Sequence, residues 1–288
     1  MKAPAPFVAA ADSSRTILAA AALAAAVASS AIAAEPSVTV DPAEVRPGSW
    51  TIVRVTGAKG PGVVRALGRE IPLFAAEGGL RALVPVPLGT GAGRKPCQAV
   101  LRGGTLSFAV RVVARVEPPR QSLPTLEVTD KTANALKSGN VILGRAFRQT
   151  GPDALWSSPL RFPLQGRLTS GYGITRSYAG TAQWPHRGID IAAPDGWPVV
   201  AAAAGRVLVS RRIDAYGNAV VLDHGQTVHT IYFHMSARQV VEGQRVEAGQ
   251  VIGMVGATGI ATGPHLHFGT YLGAVAVDPE EMMSRGLP

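Results

Sequence analysis

The hexapeptide GPHLHF, residues 263–268, carries two histidines two positions apart, directly after a turn-forming Gly-Pro pair. Successive side chains of a β-strand point to opposite faces, so His265 and His267 share one face while Leu266 points to the other. The pattern therefore predicts a strand whose two imidazoles face one groove, while the leucine between them enters the core.

A second segment, HRGID at residues 186–190, carries a histidine and an aspartate four positions apart. With the later His-x-His pair, His186 and Asp190 can supply two nitrogens and one oxygen to a divalent metal, which is a zinc pattern by ligand type. Three protein ligands leave the fourth tetrahedral position for water, as in catalytic rather than structural zinc sites. All six histidines lie between residues 186 and 267, which favours a shared site.

The spacing of short apolar runs, glycines and prolines predicts a mostly β protein. Residues 36–117 favour a small immunoglobulin-like β-sandwich without histidines, and we expect it to be a spacer or docking module. Residues 118–160 are predicted to be a linker with some helix, over about 129–148, although two glycines weaken that prediction. Residues 161–288 are predicted to form a curled antiparallel β-sheet with tight hairpins, and this segment contains all six histidines.

Residues 1–33 have the organisation of a cleavable export signal. Two basic residues precede a short run of alanine, leucine and valine. Ala31-Ile32-Ala33 then has small residues at the two positions that a signal peptidase recognises, so we expect cleavage after residue 33. The alternative is a permanent membrane anchor, but the uncharged run 16–34 is at the short edge of the roughly 20 residues that span a bilayer. Cleavage predicts a periplasmic or secreted protein without stable membrane insertion.

The chain is basic, with 28 Lys and Arg against 19 Asp and Glu. Without residues 1–33 the balance is 26 against 18, a net charge of +8. Such a charge either draws the protein to anionic cell-wall polymers or lipid headgroups, or only solvates its surface. The arginines are scattered without aromatic interleaving, so no nucleic-acid partner is predicted.

Cys97 is the single cysteine, which excludes an internal disulfide and favours burial. The oligomeric state is left open.

Residues from about 163 to 279 resemble the lysostaphin/LytM-type zinc endopeptidases of bacterial peptidoglycan. The resemblance covers about two fifths of the chain and rests on separated motifs in the same order. These motifs are SGYG at 170–173, HRGIDIAAP at 186–194, YGN at 216–218, TIYFHM at 230–235, GATG at 256–259 and TGPHLHF at 262–268.

The resemblance implies that His186, Asp190 and His267 hold a zinc ion and that His234 and His265 are the unligated catalytic histidines. Zinc lowers the pKa of its bound water toward neutrality and polarises a scissile carbonyl. The metal motif lacks the glutamate of His-Glu-x-x-His enzymes, so the general base must come from elsewhere. Either unligated histidine can take the proton, and which of them does so is left open.

Two departures from the family pattern are minor. The residues after Tyr172 are Gly-Ile-Thr-Arg, slightly off the usual spacing, so Arg176 is assigned no role. Met235 stands where leucine is more usual. The remaining histidines, His224 and His229, are expected to be structural or exposed.

These features predict an exported zinc-dependent endopeptidase that hydrolyses peptide bonds in peptidoglycan cross-links or stem peptides. The alternative is a catalytically silent zinc-binding relative that binds cell wall or activates another cell-wall hydrolase. The valine-x-x-glycine pattern across 240–253 is also typical of biotinyl and lipoyl carriers, but those need a lysine and none follows Lys137. Loops 173–185 and 210–217 are expected to select the bond, whether a glycyl bridge or a D-alanyl cross-link.

Overall fold

A computed structural model describes residues 35–123, 129–156, 159–178 and 182–288. The predicted export signal, residues 1–33, lies outside the described residues. The fold prediction of a mostly β protein is confirmed, since strands dominate the described ranges and only two helices occur in them. Neither of these two helices has the length and apolar character needed to cross a bilayer.

The first eight strands pair in one continuous order, β1-β3-β6-β5-β4-β7-β8-β2. All neighbours are antiparallel except β2 and β8. The bounds are β1 Ser37–Asp41, β2 Glu44–Val45, β3 Trp50–Thr56, β4 Gly62–Ala66, β5 Arg69–Ala76, β6 Gly79–Pro85, β7 Gly93–Leu101 and β8 Gly104–Val112.

Strand β5 changes partner along its length, which folds this sheet over one core. Its first half pairs with β4 and its last three residues, Phe74 to Ala76, pair with β6. Side chains from both halves then form a single apolar cluster, in which Cys97 is buried as a small hydrophobe. The immunoglobulin-like topology of this part stays a prediction.

The next segment contains a short strand, β9 Gln121–Leu123, and the predicted helix, α1 Asp130–Ala146. Thr129 caps the helix, because its side-chain oxygen accepts a hydrogen bond from the Thr132 backbone N–H. The inner face of α1 packs with Leu143 and Ala146 on the large sheet that follows. The assignment of residues 118–160 as a linker stays a prediction.

The remaining strands form one large antiparallel sheet and two small sheets. The large sheet has the order β10-β13-β21-β17-β16-β15-β19, with β22 added beside β21, and the small ones are β12-β11-β9 and β14-β20-β18. The bounds are β10 Arg167–Ser170, β11 Thr175–Tyr178, β12 Ala182–Pro185, β13 Ile189–Ala192, β14 Pro198–Val200, β15 Gly205–Ile213, β16 Gly217–Asp223, β17 Val228–Met235, β18 Ala237–Arg238, β19 Arg245–Val246, β20 Val251–Met254, β21 His265–Leu272, β22 Val275–Val277 and α2 Pro279–Arg285.

Strand β21 contains the His-x-His pair and follows the predicted alternation. Leu266 and Phe268 are fully buried, whereas His265 and His267 are partly exposed on the other face. The strand lies between β13 and β17, so His267 pairs with Asp190 on one side and Phe233 on the other. This central place is what brings distant segments of the chain to one point.

The first β region packs directly against the large sheet. Trp50 and Leu83 belong to the same apolar cluster as Leu272 and Met282. The Arg285 guanidinium lies 4.9 Å from the Trp50 ring centroid and donates to the Trp50 carbonyl oxygen at 2.8 Å. Residues 35–288 accordingly cluster as one compact unit. The boundaries predicted at 117/118 and 160/161 stay predictions.

Candidate metal centre

His186, Asp190 and His267 converge on one point. His186 precedes β13, Asp190 lies in β13, and His267 lies opposite Asp190 on β21. The Nε2 atom of His186 is 3.1 Å from Asp190 Oδ1 and 2.9 Å from His267 Nδ1, and the last two atoms are 2.8 Å apart. Directly opposite residues of an antiparallel pair place their side chains together, so the β13–β21 register accounts for the approach of Asp190 and His267.

The donor set suits a divalent cation. The Nδ1 atom of His186 donates to the Gly171 carbonyl oxygen at 2.9 Å, so the Nε2 atom carries a lone pair toward the cluster. Burial lowers the pKa of His267 to about 4, so its imidazole is neutral at physiological pH. Zinc bonds of about 2.0–2.1 Å in a tetrahedron separate the ligand atoms by about 3.3 Å, close to the distances here.

Asp190 contributes the negative charge of the cluster. Burial raises the pKa of its carboxyl, but the hydrogen bonds and charges of His186 and His267 outweigh burial and hold that pKa well below its usual range. Its second oxygen, Oδ2, pairs with the Arg176 guanidinium, and both side chains are little exposed, at 13% and 10%. Arg176 was assigned no role because of the irregular spacing after Tyr172, but the fold brings β11 beside the HRGID segment and makes it a partner of Asp190.

His234 and His265 lie beside this cluster, with their ring centroids 4.8 Å apart. The Nε2 atom of His265 is 4.0 Å from Asp190 Oδ1. Each Nδ1 donates to a carbonyl oxygen at 2.8 Å, that of Thr258 for His234 and that of Gly263 for His265. In the neutral rings Nε2 is therefore the proton acceptor in both cases. All five residues predicted from the sequence thus meet in one place.

His234 has a left-handed backbone conformation, with φ +64° at the end of β17. Strand alternation alone would turn its side chain to the face of Tyr232, which is fully buried in the core. Instead its ring lines the same cavity as Phe233. A non-glycine residue with this conformation is strained by about 1–3 kcal/mol and persists only where its surroundings hold it, often at functional sites.

Two of the sequence motifs, YGN at 216–218 and GATG at 256–259, hold this strained histidine. The His234 backbone N–H donates to the Tyr216 carbonyl oxygen at 2.9 Å, and the Thr258 N–H donates to the His234 carbonyl oxygen at 3.2 Å. Asn218 adds a bond from its side-chain amide to the Met235 carbonyl oxygen at 3.0 Å. Burial, and then the nearby His265 and His267, lower the pKa of His234 to about 3, so this imidazole stays neutral.

The cluster opens into a cavity of about 960 Å³. The segments 173–185 and 210–217, which were predicted to be loops, contain strands β11 and β12 and the end of β15, and they contribute Trp184 and Tyr216 to the cavity lining. Two further parts of the lining were not predicted. They are residues 260–264 and helix α1, in which Asn140 Oδ1 accepts a hydrogen bond from the Tyr216 hydroxyl at 2.8 Å. The segment upstream of residue 161 therefore takes part in shaping the site.

The other two histidines are structural, as expected. His224 is fully buried, with Nδ1 donating to the Ala204 carbonyl oxygen at 2.7 Å and Nε2 accepting from the Thr230 hydroxyl at 2.8 Å. His229 is fully buried against Phe147, and its Nε2 atom donates to the Gln149 carbonyl oxygen at 2.9 Å. Neither of them lines the cavity.

Comparison with known proteins relates this site to a family. Residues 184–279 match the model of Peptidase family M23. The chain is 48% identical over 114 residues to the DD-carboxypeptidase/endopeptidase Mpg of Neisseria meningitidis, across 39% of this chain and 26% of that protein. It is 39% identical over 127 residues to the peptidoglycan DD-endopeptidase ShyA of Vibrio cholerae, across 44% of this chain and 27% of that protein. The matched region spans less than a third of either relative.

A solved structure named for peptidase M23, from Pseudomonas aeruginosa, resembles a larger part of the chain. It superposes with a TM-score of 0.65 at 28% sequence identity, over 84% of this chain and 95% of that one. The likeness therefore extends beyond the segment that matches the family model. Together with the motif order and the convergence of His186, Asp190 and His267, these matches show that the chain contains a domain of peptidase family M23, at residues 184–279.

Proposed function

We propose that this protein is an exported zinc-dependent endopeptidase that hydrolyses peptide bonds in the cross-links or stem peptides of bacterial peptidoglycan. One observation carries the proposal: three ligand-type atoms meet within 3.1 Å of one another, and two further imidazoles lie beside them. The names of the relatives support the substrate class, since ShyA is called a peptidoglycan DD-endopeptidase and Mpg a DD-carboxypeptidase/endopeptidase.

In this proposal His186, Asp190 and His267 hold the zinc ion. When bound, zinc supplies a Lewis acid and makes water acidic enough to yield a nucleophile near neutral pH. The carboxylate of Asp190 offers one oxygen, because Arg176 engages the other. Both histidines are buried or nearly so, which keeps their imidazoles in fixed orientations.

His234 and His265 would move the proton. Each presents an unprotonated Nε2 atom in its neutral form, since a carbonyl oxygen holds the Nδ1 proton. Such a nitrogen can accept a proton from the attacking water, and the resulting N–H can then donate to the leaving amine or to the developing oxyanion.

The cavity supports a peptide substrate. Its volume of about 960 Å³ is at the upper end of the range for ligand pockets, roughly 300–1,000 Å³. Its walls combine apolar side chains with the polar groups of Asn140 and Thr262. Helix α1 and residues 260–264 would limit which stem or bridge peptide enters.

The proposal also includes export of the protein and its electrostatic attraction to the cell wall. The predicted signal at residues 1–33 would deliver the protein to the periplasm or the exterior, where a net charge of +8 favours anionic wall polymers. Mass spectrometry of the N-terminus of the protein recovered from the periplasm or medium tests this step. We expect a mature chain that begins at Ala34, and an intact Met1 on membrane-bound protein would contradict it.

Digestion of purified peptidoglycan tests the activity. The purified protein should contain one zinc by elemental analysis and should release fragments whose mass spectra locate the cut within a stem peptide or a cross-link. Release should stop when a chelator removes the metal and return with added zinc. A protein that binds one zinc and releases nothing would instead be the silent relative, and one that binds no zinc would refute the metal site.

A further inference from the structure

We infer that Gln121, in the strand upstream of helix α1, is a positioning residue for the metal centre, acting through Ser170 and Arg176. All three residues lie outside the segment that matches the family model, residues 184–279. The inference rests on the proposed metal site and extends it to a part of the chain to which no comparison assigns a role.

One side-chain oxygen accepts hydrogen bonds from two residues that lie beside proposed metal ligands. The Gln121 Oε1 atom accepts from the Ser170 hydroxyl at 2.8 Å and from the Arg176 Nε atom at 3.1 Å. The same guanidinium reaches Asp190 Oδ2 through Nη2. The Ser170 hydroxyl oxygen is 3.5 Å from Nδ1 of His186. Gln121 therefore contacts Arg176, which binds the carboxylate of Asp190, and Ser170, which lies beside the imidazole of His186.

Backbone pairing sets this network in place. Strand β9 pairs in parallel with β11, and this register puts Gln121 opposite Arg176. Strand β10 pairs with β13, and there Ser170 lies opposite Asp190 after a register shift. The three side chains are therefore fixed by two separate sheets rather than by flexible loops.

The shape of the guanidinium explains why Gln121 matters. Arginine presents its N–H donors in a rigid planar fork, so holding Nε also fixes the direction of Nη2. Gln121 holds Nε, and Asp190 then receives Nη2 on Oδ2. With Oδ2 engaged, Oδ1 is left facing His186 and His267. Loss of the Gln121 oxygen would free the guanidinium to rotate and would loosen the carboxylate.

The test measures zinc affinity of the full-length protein by chelator competition, without substrate. We expect Gln121→Ala to weaken zinc binding about tenfold, the lower end of the effect typical of partners that orient metal ligands. Gln121→Glu keeps an oxygen that can accept the same two hydrogen bonds, so it should recover most of the loss. Ser122→Ala, at the exposed neighbouring position of β9, is the matched control and should bind zinc as the wild type does.

A double-mutant cycle separates positioning from a general effect on folding. Gln121→Ala and Arg176→Lys should each weaken zinc binding, and the double variant should lose less than the sum, because both act on one path to Asp190. Thermal unfolding of the metal-free proteins is recorded alongside. Additive losses, or a Gln121→Ala variant with wild-type affinity, would overturn the inference, as would an equal loss in Ser122→Ala.

The outcomes also separate this inference from the proposed function. A wild type that binds zinc but cuts no peptidoglycan refutes the enzyme, and the affinity series still decides the role of Gln121. A wild type that binds no zinc refutes both. A Gln121→Ala variant with unchanged zinc affinity and faster cleavage would show that β9 only obstructs the cavity, and the positioning role would then be wrong.

Discussion

At the scale of single residues, the five candidate site residues divide into two groups by their contacts. His186, Asp190 and His267 point ligand atoms at one another, whereas His234 and His265 each fix Nδ1 on a carbonyl oxygen and present Nε2. This difference matches the two roles implied by the sequence resemblance. The roles themselves stay predictions, and substitutions can separate them.

Replacement of one histidine from each group should give different losses. His186→Ala removes a ligand, so both zinc content and cleavage should be lost. His265→Ala removes a proton carrier beside the cluster, so zinc should remain while turnover falls about 10²–10⁴-fold, the usual contribution of general acid–base catalysis. Elemental analysis and mass-spectrometric detection of released peptides measure the two effects. Full cleavage by the His265 variant would refute its assigned role.

Gly188 is required by close packing against the third ligand. A Cβ atom at this position would lie 2.3 Å from the Phe268 carbonyl oxygen and 2.9 Å from Nε2 of His267. Because the nearest atom is backbone, Gly188→Ala should separate β13 from β21 and weaken zinc binding. Gly263→Ala is the control, since nothing lies within 4 Å of its Cβ position although it also lines the cavity. Equal zinc affinity of the two variants in chelator competition would contradict this account.

At the scale of elements, local sequence predicted the strands and not their distant partners. The alternation in GPHLHF and the helix over 129–148 are confirmed as β21 and α1, because both depend on side-chain period and on nearby turn residues. The ion pair of Arg176 and the cavity wall formed by α1 depend on which segments meet in space. The left-handed φ of His234 was also missed, since no local pattern marks a non-glycine residue for it.

Helix α1 offers a matched pair of glycines that tests its packing. A Cβ atom at Gly139 would lie 2.7 Å from Cε2 of Tyr216, whereas nothing lies within 4 Å of the Cβ position at Gly144. Gly144→Ala should raise the free energy of unfolding by roughly 0.5–1 kcal/mol, because alanine restricts the unfolded chain. Gly139→Ala should lower it, because the helix must move away from the sheet.

Urea unfolding measures both variants. Cleavage of peptidoglycan by Gly139→Ala provides a second readout, since Tyr216 lines the cavity and donates its hydroxyl to Asn140. A stabilised Gly139→Ala variant would show that α1 tolerates displacement from the sheet. The prediction of close packing at this position would then be wrong.

At the scale of the whole molecule, the two β regions share one apolar cluster, although the first region also has a core of its own. The sequence suggested separate modules, because residues 36–117 have their own strand pattern and no histidine. That pattern carries no information on which outer side chains meet the other sheet. In the structure Trp50 lies in the cluster of the large sheet, and the Arg81 guanidinium donates to Gln226 Oε1 at 2.9 Å. We therefore expect residues 35–288 to unfold as one cooperative unit.

A buried histidine outside the metal centre gives this unit a predictable acid sensitivity. Complete burial lowers the pKa of His224 to about 4 from an ordinary 6.5, and the Ala204 carbonyl oxygen only partly opposes that shift. The unfolded chain takes up a proton below pH 6.5 while the folded chain does not until pH is near 4. Stability contributed by neutral His224 is complete above pH 6.5 and is lost as pH falls toward 4, by up to about 3 kcal/mol.

Urea unfolding of the metal-free protein at pH 7 and pH 4.5 measures this loss. The metal is removed beforehand because zinc would dissociate at the lower pH and would itself change the stability. His224→Gln retains a donor and an acceptor for the Ala204 and Thr230 contacts but cannot titrate. Its stability at pH 7 should be lower than that of the wild type, while its decline from pH 7 to 4.5 should be shallower. An equal decline in both proteins would mean that other groups, such as the buried His229, carry the acid sensitivity.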